Sequence, residues 1–445
     1  MLSACLVSLP AAPVIDPALP GGIGGTETRA WLFARALARR DDCRVQFVVR
    51  HSTPLVPDVR DGVSLRTFVD RRHQLDEQVG LCVERRVGFP WLRLKRWRWP
   101  LLWQAPRLAL LRGFAGPPDW TRPHDFYQRI EADVFVTFGV QMNSARVIAS
   151  AHASGRPAVL VIGSDGDLDE TFLTHPQAVN SYGDRGATCA WILQQADAIV
   201  CQTESQLRRL RDIFGRDGTV VANPIDIAAW DIAADSPPAV VPEREFVLWV
   251  GRAEPHHKRP MRCVELARLC PDLRFLMILN PRLADEERRV REGAGTNVTI
   301  LQTVPADRMP AVMSRAAALV NTSALEGFPN TFLQAGAAGK PVVSLEVGRE
   351  YLEASGGGAF AAGNLELAAA RLREYVQDLA LRDETGARGR DWVRAHHSAD
   401  AQAGRLLDVL RRASRNGPEQ PAETSGVTPS AAGPGTSRTD QAPAV

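Results

Sequence analysis

The sequence predicts an α/β protein with two domains of similar size. The chain has 445 residues, which is too long for one ordinary domain and suits two or three. Short β-branched runs alternate with helical patterns along most of its length, and this alternation is typical of α/β units around parallel sheets. Residues 226–244 contain Pro237, Pro238 and Pro242 and separate two such series, so we interpret them as the linker.

The first series of elements begins at the N-terminus. Residues 4–9 form an apolar run that predicts a strand, and a loop rich in Pro and Gly follows it. Ala30, Ala34 and Leu37 then recur at helical spacing, which predicts a helix over residues 26–40. The later strands predicted in this half cover residues 44–49, 133–138, 158–162, 198–202 and 219–222.

The second series begins at residue 245 and repeats the same alternation of strands and helices. We therefore predict a first domain over residues 1–225 and a second domain over residues 245–412. The strands predicted in the second domain cover residues 246–250, 274–279, 298–301, 317–321 and 341–345.

The last part of the chain, residues 413–445, has a different composition. It contains no Leu, Ile, Met or aromatic residue, and Pro, Gly, Ser, Thr and Ala dominate it. Such a stretch cannot bury enough apolar surface to offset the entropy lost on ordering, so we predict a disordered tail.

Composition and charge exclude two classes of protein. Lys and Arg total 53 against 51 for Asp and Glu, and the net charge of +2 argues against a dedicated nucleic-acid binder. No run approaches the ~18 apolar residues that a membrane-spanning helix needs. The seven cysteines are scattered and form no C-x-x-C motif, which predicts buried, reduced thiols. With no signal-peptide pattern visible, we expect a cytoplasmic protein.

Three loops have features of anion-binding sites, and the first of them joins the first strand to the first helix. Its glycine run ends at Gly24 and Gly25, directly before the helix. Glycines let a backbone approach a ligand closely, and the N–H groups at a helix N-terminus attract an anion. The spacing differs from that of dinucleotide-binding folds, and the residues alone fit a phosphate contact and a tight turn equally well.

The second loop follows the first strand of the second domain, at the strand edge where α/β proteins bind ligands. Arg252 and Lys258 in this loop can both reach a diphosphate, Arg through its planar fork and Lys as a point charge. The adjacent His256 and His257 are poorly placed to share one metal ion. A loop with several cations can also be simply solvated, so that alternative stays open.

The third loop follows the strand predicted to end at Asn321. A helix is predicted to begin near Asn330 or Thr331, which offers a further helix N-terminus to a phosphate. The carboxylate of Glu326 can accept hydrogen bonds from sugar hydroxyls. Thr331 and Gln334 also fit a capping box, and the two interpretations are compatible.

An acidic loop follows the strand predicted to end at residue 162. Its carboxylates include Asp165, Asp167 and Asp169, and they suggest a divalent metal site, a general base or simply an acidic surface loop. A calcium EF-hand is excluded, because the sixth and twelfth positions would be Glu170 and Pro176.

With these residues in view, residues 1–410 resemble glycosyltransferase family 4, a family of retaining enzymes. Gly251 and Arg252 followed by Lys258 are similar to the family's G-R-x-x-x-x-K pattern with one extra residue, and Glu326 followed by Gln334 is similar to its E-x7-E motif. The resemblance implies the GT-B fold, in which two Rossmann-like α/β domains face a central cleft. It also implies a hexosyltransferase that moves a sugar, with retention, from a nucleotide-sugar to a glycan or lipid-linked acceptor. Bacterial surface polysaccharide synthesis is the pathway it suggests.

The resemblance implies a role for each matched residue. Arg252 and Lys258 would neutralise the donor diphosphate, and Glu326 would hold hydroxyls of the transferred sugar. The loop at Gly24 and Gly25 would close over the donor from the first domain. In this scheme the reaction needs no metal ion and no cofactor.

The same resemblance assigns the remaining site residues. Where the family has a second glutamate for the donor ribose, this chain has Gln334, which still accepts a hydrogen bond but carries no charge. The family's first domain commonly has a His after the strand that is predicted to end here at residue 162, and we assign Asp165 in its place to the acceptor hydroxyl or the reacting sugar. The donor-binding backbone would be that of Gly327, Phe328, Pro329 and Asn330.

A basic and aromatic segment lies between Arg85 and Arg112. It carries eight basic residues and no acidic one, and Trp91, Trp97, Trp99 and Trp103 are interleaved with them. This mixture favours an anionic membrane surface. Nucleic acid would suit it less on a nearly neutral chain, and an insertion partly buried in the acceptor domain is an equal alternative.

Two other functions fit part of the pattern. An epimerase or phosphorylase of the GT-B fold would share the phosphate site of the second domain. A non-catalytic nucleotide-sugar-binding module is suggested by Gln334 and by the missing His. The combination of Arg252, Lys258 and Glu326 favours the transferase, because a pure scaffold does not need all three charges.

Overall fold

The structure, a computed structural model, describes residues 1–16, 18–19, 24–85, 92–114, 119–180, 183–234 and 245–418. Strands of the first half of the chain form an eight-stranded sheet, and strands of the second half form a six-stranded sheet. Helices alternate with the strands in both halves. The predicted α/β architecture with two parallel sheets is therefore confirmed.

The first sheet is built around the strand that opens the chain. The strands of this half are β1 (Leu2–Val7), β2 (Cys43–His51), β3 (Val59–Arg60), β4 (Val63–Val69), β5 (Val83–Arg85), β6 (Leu92–Leu94), β7 (Val134–Phe138), β8 (Ala158–Val161), β9 (Ala198–Cys201) and β10 (Thr219–Val220). The order in the sheet is β10-β9-β8-β7-β1-β2-β4-β3, and β5 pairs with β6 in a separate hairpin. All neighbours in the sheet are parallel except β3 and β4.

The helices of this half of the chain connect and cover these strands. They are α1 (Ala12–Ile15), α2 (Gly25–Ala38), α3 (Arg71–Gly80), α4 (Leu101–Phe114), α5 (Asp125–Gln128), α6 (Met142–Ala153), α7 (Thr171–Thr174), α8 (Gly186–Gln195), α9 (Glu204–Phe214) and α10 (Ile227–Ala234).

Successive residues of the central strands face opposite sides of the first sheet. Leu6 packs in one apolar cluster together with Leu37 and Phe47, whereas Cys5 packs in the other together with Phe135. All five side chains are fully buried. A strand that is buried on both faces needs a nearly continuous apolar run, and for this reason these strands are visible in the sequence.

The second sheet is parallel throughout. Its strands are β11 (Phe246–Arg252), β12 (Phe275–Asn280), β13 (Val298–Leu301), β14 (Ala316–Asn321), β15 (Val342–Ser344) and β16 (Gly358–Phe360), in the order β13-β12-β11-β14-β15-β16. The order reverses between β11 and β14, which creates a crevice at the carboxyl ends of these two strands. The helices are α11 (Pro260–Leu269), α12 (Ala284–Gly293), α13 (Met309–Arg315), α14 (Asn330–Ala337), α15 (Arg349–Ser355), α16 (Leu365–Gln377), α17 (Leu379–His396) and α18 (Ala399–Asn416).

The chain crosses between the two halves twice, and the crossings pair with each other. The N–H of Ile225 donates to the carbonyl of His397 at 2.9 Å, and the N–H of Ala399 donates to the carbonyl of Ile225 at 3.1 Å. After the second crossing, α18 returns to the first sheet, where Leu406 and Leu410 lie in the same cluster as the apolar face of α2. A helix inside the predicted second domain therefore packs on the first.

Two further segments differ from the sequence-based expectation. The predicted linker contains α10, because Ile227 and Trp230 pack against the core of the second sheet. Helix α18 continues to Asn416, so the prediction of disorder is wrong for residues 413–416, where Ala413 is only 5% exposed. Residues 419–445 lie outside the described residues. The domain limits at residues 225 and 245 stay predictions.

Each of the strands predicted from the sequence is present, with ends that differ by a few residues. The sequence pattern missed β3 to β6 and β16. Strand β4 alternates between buried and more exposed residues near the sheet edge, and β16 has only three residues. Neither has the continuous apolar run that marks a central parallel strand.

Two further observations concern the cysteines and the helices. All seven cysteines are free and buried, as predicted. Burial raises the pKa of Cys43 to about 11 and that of Cys189 to about 12, which disfavours the reactive thiolate. Among the helices in the described ranges, none has the length and apolarity that are needed to cross a membrane.

Candidate active site

Two of the predicted loops meet where the strand order of the second sheet reverses. The loop after β11 carries Lys258, and the loop after β14 carries Glu326. Because β11 and β14 are parallel neighbours, their carboxyl ends lie at the same edge of the sheet. This crevice is the usual ligand site of open α/β sheets.

Lys258 and Glu326 form an ion pair at this crevice, between Nζ and Oε1. Their side chains are 21% and 17% exposed, so the pair is largely shielded from water. The hydroxyl of Ser323 donates to the same carboxylate oxygen at 2.8 Å. A diphosphate entering here would compete with Glu326 for Lys258, and the released carboxylate could then accept sugar hydroxyls.

Glu254 shapes the loop that presents Lys258. Its carboxylate accepts the backbone N–H groups of His256, His257 and Lys258 at 2.7, 3.0 and 3.4 Å. Burial alone would raise the pKa of Glu254, but the N–H groups of His257 and His256 lower it below its ordinary value. Sequence reasoning missed this residue, whose signal is a carboxylate directly before a turn.

Thr322 ties the same loop to the end of β14. Its hydroxyl donates to the carbonyl of Lys258 at 2.8 Å and accepts the indole N–H of Trp249 at 2.8 Å. Arg259, the next residue along the loop, adopts a left-handed backbone with φ of 48°. Backbone strain of this kind persists only where surrounding contacts enforce it, and it is frequent at functional sites.

Arg252 is the last residue of β11, and its side chain is exposed. No hydrogen bond or ion pair joins its guanidinium to another residue in the described part of the chain, so the structure does not bring it into contact with the Lys258–Glu326 pair. The unengaged guanidinium next to the crevice can bind an anion.

Helix α14 begins at Asn330, as predicted, and provides a helix N-terminus at the crevice. Pro329 is its N-cap residue, and no side chain caps the first turn. Thr331 is the second helical residue, so the capping box with Gln334 is not formed and that interpretation is wrong. An N-terminus without a capping side chain can direct its N–H groups at a phosphate.

Gly327 brings this loop against the first domain. A Cβ atom at this position would lie 2.7 Å from Nε2 of Gln206 and 3.0 Å from Cα of Ser164, which is too close for any other residue without movement. The predicted donor loop of the second domain and the acidic loop of the first domain are therefore in contact across the cleft.

Asp165 lies on the first-domain side of this contact, and its Oδ1 accepts a hydrogen bond from Nε2 of Gln206 at 2.9 Å. Burial raises the pKa of Asp165, and the charge of Glu326 raises it further against the lowering effects of Gln206 and Arg209. Asp165 lies on the loop whose Ser164 contacts Gly327, the residue after Glu326. A carboxyl group with a raised pKa in a cleft is suited to proton exchange or to holding a hydroxyl.

The other carboxylates of the acidic loop have structural partners. Asp167 accepts the N–H groups of Gly163 and Val140 at 2.6 and 3.1 Å, and Asp169 accepts the N–H of Thr171 at 2.9 Å. Within the described ranges, no group of three or more His, Cys, Asp and Glu residues is arranged to hold a metal ion.

The glycine loop of the first domain reaches the start of α14. Helix α2 begins at Gly25, with Gly24 as its N-cap residue. The side-chain Nδ2 of Asn330 donates to the carbonyl of Gly25 at 3.1 Å, so this predicted pair of donor-binding residues is brought together. Residues 20–23 of the loop lie outside the described residues.

Phe328 and Gln334 form no hydrogen bond with the charged pair in the described part of the chain. The ring of Phe328 packs 5.2 Å from that of His397 and 5.5 Å from that of Tyr351, which anchors the loop at the domain crossing. Gln334 is half-buried on α14, and its side chain has no hydrogen-bond partner in the part of the chain that the structure describes.

Sequence reasoning also missed a group of buried polar residues between the domains. Gln202, Gln206 and Asn223 are at most 4% exposed and hydrogen-bond with residues of the cleft. Gln202 directly follows β9, and Asn223 follows the strand predicted over residues 219–222, which is the one signal that the sequence offers for these two residues. Their partners lie far away in the chain and are visible only in the folded protein.

Comparison of sequences finds a family model that matches the part of the chain with the second-domain loops of the site. Residues 244–378 match the sequence model of the family described as Glycosyl transferases group 1. This range contains both loops at the crevice and helix α14. A search of curated protein sequences found no match.

Comparison of structures shows the arrangement of the whole chain. Sucrose-phosphate synthase from Thermosynechococcus elongatus has a TM-score of 0.65 and 17% identity, over 93% of this chain and 99% of that one. A point mutant of TarM from S. aureus, in complex with fondaparinux, α-GlcNAc-glycerol and UDP, has a TM-score of 0.62 and 11% identity, over 92% and 100%. HepE from Anabaena in complex with UDP has a TM-score of 0.58 and 14% identity, over 93% and 100%. At these identities the likeness shows the fold, and the predicted GT-B architecture is confirmed.

Proposed function

We propose that this chain is a retaining glycosyltransferase of family 4 that moves a hexose from a nucleotide-sugar to a glycan or lipid-linked acceptor. The observation that carries the proposal is the Lys258–Glu326 pair at the crevice, within the range that matches the Glycosyl transferases group 1 family. The solved structures of this fold that contain UDP support a nucleotide-sugar as donor. The proposed setting is the cytoplasmic side of bacterial surface polysaccharide synthesis.

The proposed chemistry begins when the donor diphosphate replaces Glu326 as the partner of Lys258. Arg252 adds a second cation from the end of β11, and the N–H groups at the start of α14 add the helix dipole. Departure of the nucleotide diphosphate builds negative charge, which these groups stabilise electrostatically. In this scheme, no step uses a metal ion or a cofactor.

Glu326 and Asp165 act on the sugar side of the same bond. Once released from Lys258, Glu326 accepts hydrogen bonds from hydroxyls of the transferred sugar, while the hydrogen bond from Ser323 keeps its carboxylate in place. Asp165 faces it from the first domain and contacts the acceptor hydroxyl or the reacting sugar. Burial raises the pKa of Asp165, which makes its carboxylate a stronger proton acceptor than an ordinary, exposed one.

Backbone groups complete the proposed donor site. Gly24 and Gly25 approach the donor from the first domain, and the backbone of the loop after Glu326 approaches it from the second. Gln334 accepts one hydrogen bond from the donor ribose. The residues of the second-domain backbone contact are Gly327, Phe328, Pro329 and Asn330.

The test is a thermal-shift and hydrolysis screen with UDP-, GDP- and ADP-sugars. A donor should stabilise the wild-type protein and be slowly hydrolysed by it, whereas Lys258→Ala and Glu326→Ala should each lower turnover by ~10²-fold or more. Glu353→Ala is the matched control, because it removes a glutamate of the same domain from an exposed ion pair with Arg349. Equal turnover in all four proteins would refute the assigned roles.

Two rival functions predict different results in the same screen. A non-catalytic nucleotide-sugar-binding module, which the uncharged Gln334 favours, would be stabilised by a donor but would show no turnover with any acceptor. An epimerase or phosphorylase of this fold would convert the sugar or release a sugar phosphate. Absence of any response to nucleotides would refute the phosphate site itself.

The segment from β6 to α4 supports a peripheral membrane contact as part of the proposal, while residues 86–91 of the predicted segment, including Trp91, lie outside the described residues. We define the aromatic–basic surface as the exposed residues Arg93, Lys95, Arg96, Trp97, Arg98, Trp99, Trp103 and Arg107. The three Trp side chains are 51%, 71% and 60% exposed. Leu101 and Leu108 anchor α4 in the protein, while Leu102 and Leu110 on its outer face are 55% and 61% exposed. Exposed indoles lie here among positive charges for which the described part of the chain shows no ion-pair partner, and this combination fits the interface of an anionic bilayer.

Liposome flotation tests this contact. The protein should float with vesicles of phosphatidylglycerol and phosphatidylcholine at low salt, and binding should fall with added salt or with pure phosphatidylcholine. A variant with Trp97, Trp99 and Trp103 changed to Ser should remain in the bottom fraction of the gradient. The control Trp392→Ser should float like the wild-type protein. Absence of vesicle binding at low salt would refute the membrane contact. Binding of nucleic acid by the protein in preference to the vesicles would also refute it.

A further inference from the structure

Asn223 lies where the two domains meet, on the connection that follows β10. Its side chain is 3% exposed, and each of its polar atoms has a partner. Oδ1 accepts from Nη1 of Arg29 at 2.9 Å, and Nδ2 donates to Gln202 Oε1 at 3.1 Å and to Asn330 Oδ1 at 2.8 Å. Its carbonyl accepts the ring N–H of His397 at 2.8 Å. One buried residue thus joins the first domain, the second domain and the crossing between them.

The partners in the first domain hold Asn223 in place. Arg29 is 2% exposed, and its Nη2 donates to the carbonyl of Ile162 at 2.6 Å. Nε2 of Gln202 donates to the same carbonyl at 2.9 Å. The side-chain oxygen and nitrogen of both buried amides, Gln202 and Asn223, have partners, whereas Nε of Arg29 is buried without one in the described part of the chain. The two amides therefore have one strongly preferred arrangement, because rotating either of them would leave a group unpaired.

Asn330 extends the network to the glycine loop. Because its Oδ1 accepts from Asn223, its Nδ2 is directed at the carbonyl of Gly25, 3.1 Å away. A flipped amide would place two donors together at Asn223 and two acceptors together at Gly25, so the orientation is unique. Asn330 is the first residue of α14, and Gly25 is the first residue of α2. The network therefore joins the starts of two helices that belong to different domains.

We propose that Asn223 is a positioning residue that, through Asn330, latches the two domains together before any ligand binds. The latch is a property of the free protein and does not depend on the proposed activity. Within the proposed transferase, it would place the start of α14 against the glycine loop in advance of donor binding, and this consequence rests on the proposed function.

Fluorescence energy transfer between the domains measures the latch without any turnover. All seven native cysteines are buried, so single cysteines introduced on the surface can be labelled selectively. Ala153 at the end of α6 and Glu292 on α12 are exposed positions in the first and second halves of the chain. A double-cysteine protein with these two changes reports the ratio of closed to open molecules.

The expected effects follow from the number of hydrogen bonds that cross between the domains. Asn223→Ala removes one and should lower the closed-to-open ratio by about fivefold, the net worth of one neutral hydrogen bond. Asn330→Ala removes two and should lower it further, and the double variant should open no further than Asn330→Ala alone. Asn364→Ala is the matched control, because it removes only a helix-cap hydrogen bond from Leu367 at 2.8 Å and should leave the ratio unchanged.

Several outcomes overturn the latch. These are an unchanged ratio in both single variants, additive effects in the double variant, or an equal effect of Asn364→Ala. If Asn223→Ala does not fold, Asn330→Ala decides alone, because its side chain is only partly buried. Donor hydrolysis by the wild-type protein is measured separately, so a failure of the proposed activity leaves the energy-transfer result intact.

Discussion

His397 at the domain crossing makes the stability of this protein depend on pH. Its imidazole is 5% exposed, its Nδ1 donates to the carbonyl of Asn223 at 2.8 Å, and the ring of Phe328 lies 5.2 Å away. Burial lowers the pKa of His397 from 6.5 to about 4, against the raising effect of the hydrogen bond to Asn223. The imidazole therefore stays neutral in the folded protein at pH values where it is charged in the unfolded chain.

The direction of the effect follows from the lowered pKa. As pH falls, the unfolded chain binds the proton first, so this group lowers the free energy of unfolding between about pH 6.5 and pH 4. Above that window its contribution is constant. At about 1.36 kcal/mol per pKa unit, the full loss amounts to about 3 kcal/mol. Energy of this size is a large fraction of the stability of an ordinary domain.

Urea unfolding of the wild-type protein and of His397→Asn at several pH values tests this prediction. Asparagine cannot titrate in this range, and its side-chain nitrogen is attached to Cγ like Nδ1 of histidine, so it can still donate to the carbonyl of Asn223. Other groups, including Asp165 and Asp184 with their raised pKa values, titrate in both proteins and cancel in the difference. The wild-type free energy of unfolding relative to the variant should fall by about 3 kcal/mol between about pH 7.5 and pH 4. A constant difference, or an imidazole NMR titration midpoint at its ordinary value, would refute the reasoning.

Three other substitutions test the cleft and the domain crossing. Gly327→Ala should lower donor turnover on the order of 10²-fold, because its Cβ would hold the cleft open, whereas Gly80→Ala has open space and should have no effect. Thr322→Val leaves the buried indole N–H of Trp249 without its acceptor, so it should lower the free energy of unfolding by about 1–3 kcal/mol in thermal or urea unfolding. An unchanged free energy of unfolding would contradict the contact. Leu410→Ala should lower the free energy of unfolding by about 2–5 kcal/mol if α18 is part of the first-domain core. In the same urea titration, Leu367→Ala, at an exposed position, should lower it far less.

Much of the fold could be predicted from the sequence, because the signals are local. Strands such as β11 and β14 are buried on both faces and appear as continuous apolar runs. The start of α14 at Asn330 was predictable from the turn residues before it. The short strand β16 and the edge strand β4 lack such runs, and the return of α18 to the first domain depends on a surface formed far away in the chain.

The sequence by itself determined which chemical groups follow which strands. Lys258 follows β11, Glu326 follows β14 and Asp165 follows β8, and such placements depend only on the neighbouring residues. Only the tertiary structure decided that Lys258 pairs with Glu326 and that the acidic loop carrying Asp165 lies against Gly327, through the backbone of Ser164. It also decided that Asn223 bridges the two domains. Local preferences act over a turn or two of chain, whereas these contacts depend on the strand order and on the closure of one domain against the other, which are set by burial of the whole apolar surface.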